Sequence, residues 1–443
     1  MTLRLPHPLI LLLGGVAVAA ALTWALPAGE FDRRDDPATG RRVVVAGTYH
    51  PVDPSPVGPI AAAVAIPRGF VDAAEVVAVV LFVGGAWVVL DRLGTLGRLV
   101  GALVARFRRR SLLAIPVVSF FFASMGALEN MQEEIIPLVP VLLLLARRIG
   151  VDAVTAVAMS AGAAMIGSAF GPTNPFQAGI AMKLAELPAL SGAGIRLAMF
   201  FAAFVVWAGW TMRHASRVQV EPEAAAEGQA GHASARDLLL FAIMIAPMAA
   251  YVYGAAVLGW GFNELSAGFF LSGMLVGLIG GLGLTGTATA FLQGMQDLVP
   301  AAVLVGVARS ITLVLADGHV IDTALNGLAT PLASAAPSAA ALLMIPFHAI
   351  VHVFVPSVSG HAVLTMPVLV PLSDLLGISR QVTVLAYQTG AGLTELITPT
   401  NGALMAILLA AGVPYGQWMR FAAIGVGLCA IVGVAGMAAS GMW

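Results

Sequence analysis

Charged residues are confined to a few clusters, and this confinement restricts the possible folds more than any other feature of the sequence. Of the 45 charged residues (22 Lys and Arg plus 23 Asp and Glu), twelve lie between Glu30 and Glu75, seven between Asp91 and Arg110, and seven between Arg213 and Asp237. The stretches between clusters are apolar and long enough, at about 20 residues per helix, to cross a bilayer. Because lipid-embedded backbone must bond within the chain, the sequence predicts an all-α polytopic membrane protein.

The amino-acid composition also excludes several classes of function. Hydrophobic residues make up 59% of the chain and charged residues 10%, which is far from the composition of a water-soluble enzyme. The net charge of -1 provides no basic surface for binding nucleic acid. Cys429 is the single cysteine, so a framework of intramolecular disulfides is excluded. We expect a multi-pass membrane protein whose partners are the lipid bilayer and a small-molecule substrate, with no cofactor and no enzymatic activity. A homodimer is left open.

The arginine clusters predict the orientation of the helices. Arg98 to Arg110, Arg147 with Arg148, and Arg213 with Arg217 flank the spans and are expected on the cytoplasmic side. The long loop over 27–73 carries acids as well as arginines and is expected outside, because long loops translocate largely regardless of charge. Its preceding span is either a retained helix, which its length favours, or a cleaved signal peptide. The predicted spans cover 9–26, 74–90, 151–187, 193–212, 237–258, 264–284, 298–316, 378–412 and 418–440.

Two apolar stretches are too long for one straight helix. The first, about 111–147, has arginines at both ends, so the chain must enter and return on one side, turning near Gly126 to Asn130. The second, about 337–376, turns near Pro356 to Gly360 and is expected to enter from outside. We interpret both as helical hairpins, re-entrant or fully spanning.

An internal repeat relates the two halves of the chain at a constant offset in residue number. Pro172-Thr173-Asn174 falls on Pro399-Thr400-Asn401, and Gly150 falls on Gly377. An odd number of crossings separates the copies, so they are inverted. The predicted organisation is a first helix and outer loop (1–73), repeat 1 (74–212, with hairpin 111–147 and broken helix 151–187), a cytoplasmic linker (213–236), two connecting helices with an amphipathic segment (237–297), and repeat 2 (298–443, with hairpin 337–376 and broken helix 378–412).

Inverted repeats with interrupted helices are typical of secondary transporters, which bind substrate and coupling ion at the breaks. Pro172 and Pro399 lack an N–H, so nearby carbonyls lose their helical partners and become available to a cation. The predicted ion-coupling residues at the breaks are Pro172, Thr173, Thr398 and Thr400. Na⁺ is one candidate, at Thr173 with Asn174 and at Thr400 with Asn401, and H⁺ is the other.

Charged residues inside the membrane are costly and therefore mark functional sites. Arg309 suits a structural or a substrate-carboxylate role equally well, since its guanidinium fork fits both. Glu129, Glu133 and Glu134 near the first hairpin tip are candidates for the coupling proton. The predicted substrate contacts are Asn174, Asn401, Ser357, Ser359, Gly360, His361, Arg309 and Glu395.

Three histidines converge on the second hairpin: His348 and His352, at positions i and i+4, and His361. Three roles remain open for them, namely hydrogen bonding to hairpin backbone, handling of substrate or protons, and ligation of a metal. The third role carries one alternative function, a membrane-embedded metal-dependent enzyme. A passive anion channel is the other.

Several motifs resemble a known family. They are Gly47-Thr48-Tyr49, Gly84-Gly85, Gln132-Glu133-Glu134, Asn174-Pro175-Phe176, the run from Phe354 to Pro367, Pro371 to Asp374, and Ile397 to Gly402. Together they resemble the anaerobic four-carbon dicarboxylate carrier-like family, in its YfcC-type branch, over nearly the whole chain. The resemblance implies membership of the ion transporter superfamily, with two hairpins, two broken helices, and ion-coupled symport or antiport of organic anions or amino acids. It also implies a location in the bacterial inner membrane. His361, Ala391 and Glu395 depart from that family's pattern.

Overall fold

The computed structural model describes residues 7–37, 41–106, 111–172, 174–188, 191–222, 234–258 and 260–441. The described chain is almost entirely helical, which confirms the all-α class. Nine of its helices are long and apolar enough to cross a membrane. The first half contains α1 (Pro8–Ala25), α2 (Pro59–Asp72), α3 (Ala74–Arg92), α4 (Thr95–Arg106), α5 (Ala114–Glu129), α6 (Val139–Ile149), α7 (Ala153–Val157), α8 (Ala163–Phe170), α9 (Ile180–Leu184) and α10 (Ala193–Arg217).

The remaining helices begin after the predicted linker, of which residues 223–233 lie outside the described part. They are α11 (Ala235–Val257), α12 (Phe262–Gly280), α13 (Gly283–Asp317), α14 (Ile321–Ala333), α15 (Pro337–Phe354), α16 (Val358–Leu376), α17 (Arg380–Thr394), α18 (Gly402–Ala410) and α19 (Tyr415–Ala439).

Helix α13 forms the centre of a frame made of α1, α2, α3 and α12. Small residues let these helices approach closely: a Cβ on Gly294 of α13 would meet the carbonyl oxygen of Gly84 in α3. The predicted span 298–316 is too short, because α13 begins at Gly283. The Thr-rich and Gln-containing residues before 298 continue the same helix rather than forming a separate amphipathic segment.

The first predicted hairpin consists of α5, a 3₁₀ turn at Glu133–Leu138, and α6. Helix α5 ends at Glu129, and the residue that follows, Asn130, adopts a left-handed conformation (φ 62°). Ala114 at the start of α5 and Ile149 at the end of α6 belong to one hydrophobic cluster, so the chain returns to its starting side. Helix α5 packs on α8 through Gly126 and Gly167, where an added Cβ would meet a carbonyl oxygen of the partner helix.

The second predicted hairpin consists of α15 and α16, which are joined by residues 355–357. Helix α15 packs on α17, and a Cβ on Gly390 of α17 would meet the carbonyl oxygen of Ile345. In both halves the first arm of the hairpin therefore packs on the first part of the broken helix through glycine. How deeply each hairpin lies in the bilayer stays a prediction.

The segment expected to be an outer loop is more ordered than predicted. It contains helix α2 and two antiparallel ribbons, β1 (Gly29–Glu30) with β4 (His50–Pro51) and β2 (Arg33–Asp36) with β3 (Arg41–Val44). Asp322 in α14 anchors this segment to the helices. Its carboxylate accepts hydrogen bonds from the backbone N–H of Phe31 and from Arg33 Nη2, each at 2.9 Å. Some of the charges that predicted a loop, namely Arg33, Arg68 and Asp72, form ion pairs with α13 or α14.

Candidate functional site

The first broken helix is interrupted at Gly171 to Asn174. Asn174 is fully buried, and its Oδ1 accepts from the N–H groups of Phe176 and Gln177, both at 2.9 Å. It thereby caps the π-helical turn Pro175–Gly179 that leads into α9. Its Nδ2 donates to Ser168 Oγ at 2.9 Å and to Asn130 Oδ1 at 3.1 Å. One amide joins both sides of the break to the first hairpin tip.

The second broken helix is interrupted between Thr394 and Gly402. Asn401 Oδ1 accepts from the N–H of Leu404 at 3.1 Å and caps α18. Asn401 Nδ2 donates to the Glu395 carboxylate, to the Glu395 carbonyl at 3.2 Å, and to Gln132 Oε1 at 3.2 Å. The second break is therefore hydrogen-bonded to the loop of the first hairpin.

The two broken helices also contact each other. Gln388 Nε2 donates to the carbonyl oxygens of Ala169 (3.4 Å) and Gly171 (3.3 Å), and Arg196 Nε donates to Gln388 Oε1 at 2.6 Å. Arg196 is 1% exposed, and its Nη2 has no hydrogen-bond partner among the described residues. A buried cation thus supports the contact between the two broken helices.

Several carbonyls that we expected to be free for a cation accept from side chains instead. Trp418 Nε1 donates to Leu396 O at 2.7 Å, and the Tyr415 hydroxyl donates to Ile397 O. Thr398 and Thr400 pair through their hydroxyls at 2.7 Å. These donors come from α19 and from the break itself, so the break contains fewer unsatisfied oxygens than the proline pattern predicts.

A cavity of about 400 Å³ lies between the two hairpin tips and the second break. This volume falls within the range of small-molecule sites. Nine of the residues predicted from the sequence as site residues line this cavity: Glu129, Glu133, Glu134, Arg309, Ser357, Ser359, Glu395, Thr400 and Asn401. Its further lining includes Asp72, Glu75, Gln132, Phe176, Tyr251, Trp260 and Phe262.

One wall of the cavity is acidic. Glu129 is 5% exposed, and neither carboxylate oxygen has a hydrogen-bond partner among the described residues. Glu134 accepts from the backbone N–H of Gln132 at 3.1 Å, and Glu133 is partly exposed beside it. Glu129 is therefore an uncompensated buried carboxyl group at the cavity surface, which is costly without a ligand.

The arginine that lines the cavity already has a partner. Arg309 forms an ion pair with Asp72 at the end of α2, and both side chains are about 40% exposed (40% and 39%). Asp72 lies in the segment that the sequence predicted as a loop, so the pairing was not foreseen. The cavity lining therefore contains six carboxyl side chains and one arginine, which is already paired.

The three histidines form a buried chain that leads from the cavity. His352 Nε2 lies 2.6 Å from Glu395 Oε1, His352 Nδ1 lies 3.3 Å from His361 Nδ1, and His361 Nε2 lies 2.8 Å from His348 Nδ1. All three rings are fully buried. The described residues contain no group of three or more His, Cys, Asp or Glu that would hold a metal ion.

Five of the predicted site residues that the structure describes do not line the cavity. Asn174 and His361 lie buried behind it, while Pro172 and Gly360 are partly exposed outside its lining. Thr398 reaches the site through its hydrogen bond to Thr400. Thr173 lies outside the described residues.

Sequence reasoning did not name Asp72, Ser168, Gln388 or Arg196, and it included Gln132 only in a family motif and not among the site residues. Two of these residues, Ser168 and Arg196, could have been identified from the sequence. The repeat that places Asn174 on Asn401 also places Ser168 on Glu395, and Arg196 is a lone cation at the start of an apolar span.

Comparison with known proteins identifies the family. A model of the DcuC family, described as C4-dicarboxylate anaerobic carrier, matches residues 5–440. An Escherichia coli protein described as "Putative basic amino acid antiporter YfcC" is 33% identical over 81% of this chain and 76% of its own length. An uncharacterized protein of Haemophilus influenzae is 24% identical over 98% of this chain and 96% of its own.

Two solved transporters are similar over nearly the whole chain. The YdaH transporter of Alcanivorax borkumensis matches with 18% identity, 98% coverage of both chains and a TM-score of 0.46. MtrF of Neisseria gonorrhoeae matches with 17% identity, coverage of 98% of this chain and 95% of its own, and a TM-score of 0.42.

The family match over nearly the full length, together with the nine apolar helices found among the described residues, identifies a transporter and not an enzyme. The chain belongs to the DcuC family of membrane carriers, as a multi-pass protein of the bacterial inner membrane.

Proposed function

We propose that the protein is an ion-coupled secondary transporter that carries a basic amino acid by alternating access. The observation that carries this proposal is the charge of the cavity. Glu129, Glu133, Glu134 and Glu395 line it, whereas its arginine, Arg309, is paired with Asp72. A cationic side chain in this cavity would compensate the Glu129 carboxyl group, which has no hydrogen-bond partner among the described residues.

The opposite wall suits the carboxylate of an amino acid. Helix α16 begins at the cavity, with Ser357 as its capping residue, and helix α18 begins there after Asn401. The N-terminal end of a helix presents backbone N–H groups and a positive partial charge, which favour an anion. The cavity thus contains carboxyl groups at the first hairpin and at Glu395, and the N-terminal ends of α16 and α18 supply N–H groups for an anion.

Aromatic side chains add to the preference for a cation. Tyr251, Trp260 and Phe262 line the cavity near the acids. Aromatic rings attract an ammonium or guanidinium group through their quadrupole. The description of the E. coli relative as a basic amino acid antiporter agrees with this substrate class.

A dicarboxylate is the second candidate substrate. The family description and the presence of Arg309 in the cavity favour it. A dicarboxylate would have to displace Asp72 from Arg309 and face the four glutamates, which is electrostatically unfavourable.

Uptake into proteoliposomes separates these candidates. Labelled lysine, arginine, succinate and a short monocarboxylate are each tested with internal unlabelled substrate, with and without pH and Na⁺ gradients. We expect saturable exchange of lysine or arginine and none of succinate. Exchange of succinate alone would overturn the substrate class, and flux that follows voltage without saturation or coupling would indicate a channel.

A further inference from the structure

The buried chain of Glu395, His352, His361 and His348 extends beyond the groups that the proposed substrate contacts. Of its four members, only Glu395 lines the cavity, and it is 4% exposed. The three rings are fully buried, so any exchange of protons with water passes through Glu395.

The number of protons that these four side chains can hold follows from the hydrogen bonds between them. Each of its three contacts needs one hydrogen and one lone pair. When Glu395 is ionised and the three rings are neutral, each ring has one N–H group. All three contacts are satisfied if each ring donates to the neighbour on its Glu395 side, so that His348 donates to His361, His361 to His352, and His352 to Glu395. One further proton reverses every hydrogen, so that the Glu395 carboxyl group donates to His352 and His348 Nε2 carries the last hydrogen, with every contact kept.

The four side chains cannot take up another proton without losing a hydrogen bond. It would place two hydrogens in one of the three contacts, because His348 Nε2, the free end of the chain, is already occupied. Glu395 Oε2 accepts from Asn401 Nδ2, so the other carboxylate oxygen is also engaged. The chain therefore changes by a single proton while keeping its hydrogen bonds.

The titratable and charged groups around this chain either have partners of their own or lie across the cavity from it. Tyr387 on α17 lies 5.3 Å from the His348 ring and 5.4 Å from the His361 ring, but its hydroxyl donates to Val358 O at 2.5 Å. Of the charged groups on the elements packed against the chain, Arg309 on α13 pairs with Asp72, and Asp322 on α14 pairs with Arg33. Glu133 faces the same cavity from the first hairpin.

We propose that Glu395, His352, His361 and His348 form a one-proton site that couples proton movement to transport, with the proton and a cationic substrate binding in alternation. The proton comes from water through the cavity and returns there. Its loss leaves one negative charge at Glu395 on the cavity surface, which favours the substrate cation. Its gain neutralises Glu395 and favours release, so the two ions exchange. This proposal rests on the function proposed above.

The experiment compares wild type with His352→Gln in proteoliposomes, using lysine as the probe. Glutamine keeps a hydrogen bond to Glu395 but holds no exchangeable ring proton. Labelled lysine exchange at equal pH reports substrate binding, and an entrapped pH dye reports proton flux driven by a lysine gradient. The matched control is His319→Gln, because His319 also contacts a glutamate, Glu30, at 2.6 Å in the outer region.

We expect His352→Gln to keep lysine exchange within about twofold of wild type and to lose coupled proton flux by about tenfold or more. The His319→Gln control should retain both activities. Unchanged proton coupling in His352→Gln would overturn the proposal. Parallel loss of exchange and coupling would overturn it as well, because the rings would then support the substrate site itself.

A substrate-free measurement keeps the two proposals separable. Histidine-specific ¹⁵N NMR of the wild-type protein in nanodiscs, without substrate, should show the signals of the three buried rings changing together in one pH step. Three independent steps, or no step, would overturn the one-proton site even if lysine is transported. A collective step in a protein that does not exchange lysine would support the proton site and reject the substrate.

Discussion

Asn174 and Asn401, which the internal repeat places at equivalent positions, make the same two kinds of contact at the two breaks. Each side-chain oxygen caps the helix that follows the break, and each side-chain nitrogen donates back to the residue six positions earlier, Ser168 in one copy and Glu395 in the other. Ser168 and Glu395 are therefore equivalent in the repeat as well. The repeat thus preserves the geometry of the break while exchanging a neutral hydroxyl for an acid.

Replacing either asparagine by alanine should abolish uptake while membrane expression stays normal. Loss of the cap costs about 1 kcal/mol, and loss of the amide leaves the two sides of the break without their connection. Uptake of the labelled substrate and the melting temperature in detergent are the measurements. Normal transport by both alanine variants would show that the breaks do not form the site.

The aspartate variants test the difference between the two copies. Asn174→Asp retains a capping oxygen next to Ser168, whose hydroxyl can donate to the new carboxylate. Asn401→Asp places a carboxylate against Glu395, and like charges at that distance repel. We expect Asn174→Asp to keep more transport than Asn401→Asp, and the reverse order would contradict the assignment of Glu395 as the acidic partner.

Replacing Glu129 by glutamine should raise the thermal stability of the protein and weaken the binding of a basic amino acid. The carboxyl group is buried without a hydrogen-bond partner among the described residues, so the neutral isostere removes an unfavourable group from the empty protein. The bound substrate cation would lose its counter-charge, and we expect at least a roughly tenfold rise in Kd, which corresponds to about 1.4 kcal/mol.

Glu75→Gln is the matched control for Glu129→Gln. Glu75 lines the same cavity but is more exposed and accepts from Asn263 Nδ2 at 2.9 Å. Melting temperature and lysine affinity by isothermal titration should change little in this variant. Equal effects of the two substitutions would argue against a special role for Glu129.

Arg309 and Asp72 should act on substrate affinity in opposite directions. Their ion pair is about 40% exposed on both sides, so breaking it should cost at most about 1 kcal/mol of stability. Arg309→Gln removes a cation from the cavity and should tighten lysine binding, whereas Asp72→Asn leaves Arg309 unpaired and should weaken it. A loss of succinate transport in Arg309→Gln, with lysine inactive throughout, would instead support the dicarboxylate.

The sequence was sufficient for the all-α class and for most of the apolar spans because these depend on local patterns of apolar residues, prolines and charges. It did not reveal which atoms satisfy the broken backbone. Trp418 and Gln388 reach those carbonyls from helices that follow or cross the break. Such contacts depend on helix packing and rotamers, which the one-dimensional pattern does not encode. Helix α2 was missed for a related reason, since Pro59, Pro67 and Gly69 within it are typical of loops.

The glycine contact between α5 and α8 gives the last prediction, which concerns assembly rather than transport. A Cβ at Gly167 would meet the carbonyl oxygen of Ala123, a backbone atom that cannot rotate away. Gly167→Ala should therefore separate the first hairpin from its broken helix and lower both the melting temperature and folded yield. Gly209 in α10 is the control, because a Cβ there meets nothing within 4 Å, and alanine should stabilise that helix by about 0.5–1 kcal/mol. Gel-filtration yield and thermal unfolding in detergent compare the two variants. If Gly167→Ala behaves like Gly209→Ala, the close approach of α5 and α8 is not required for folding.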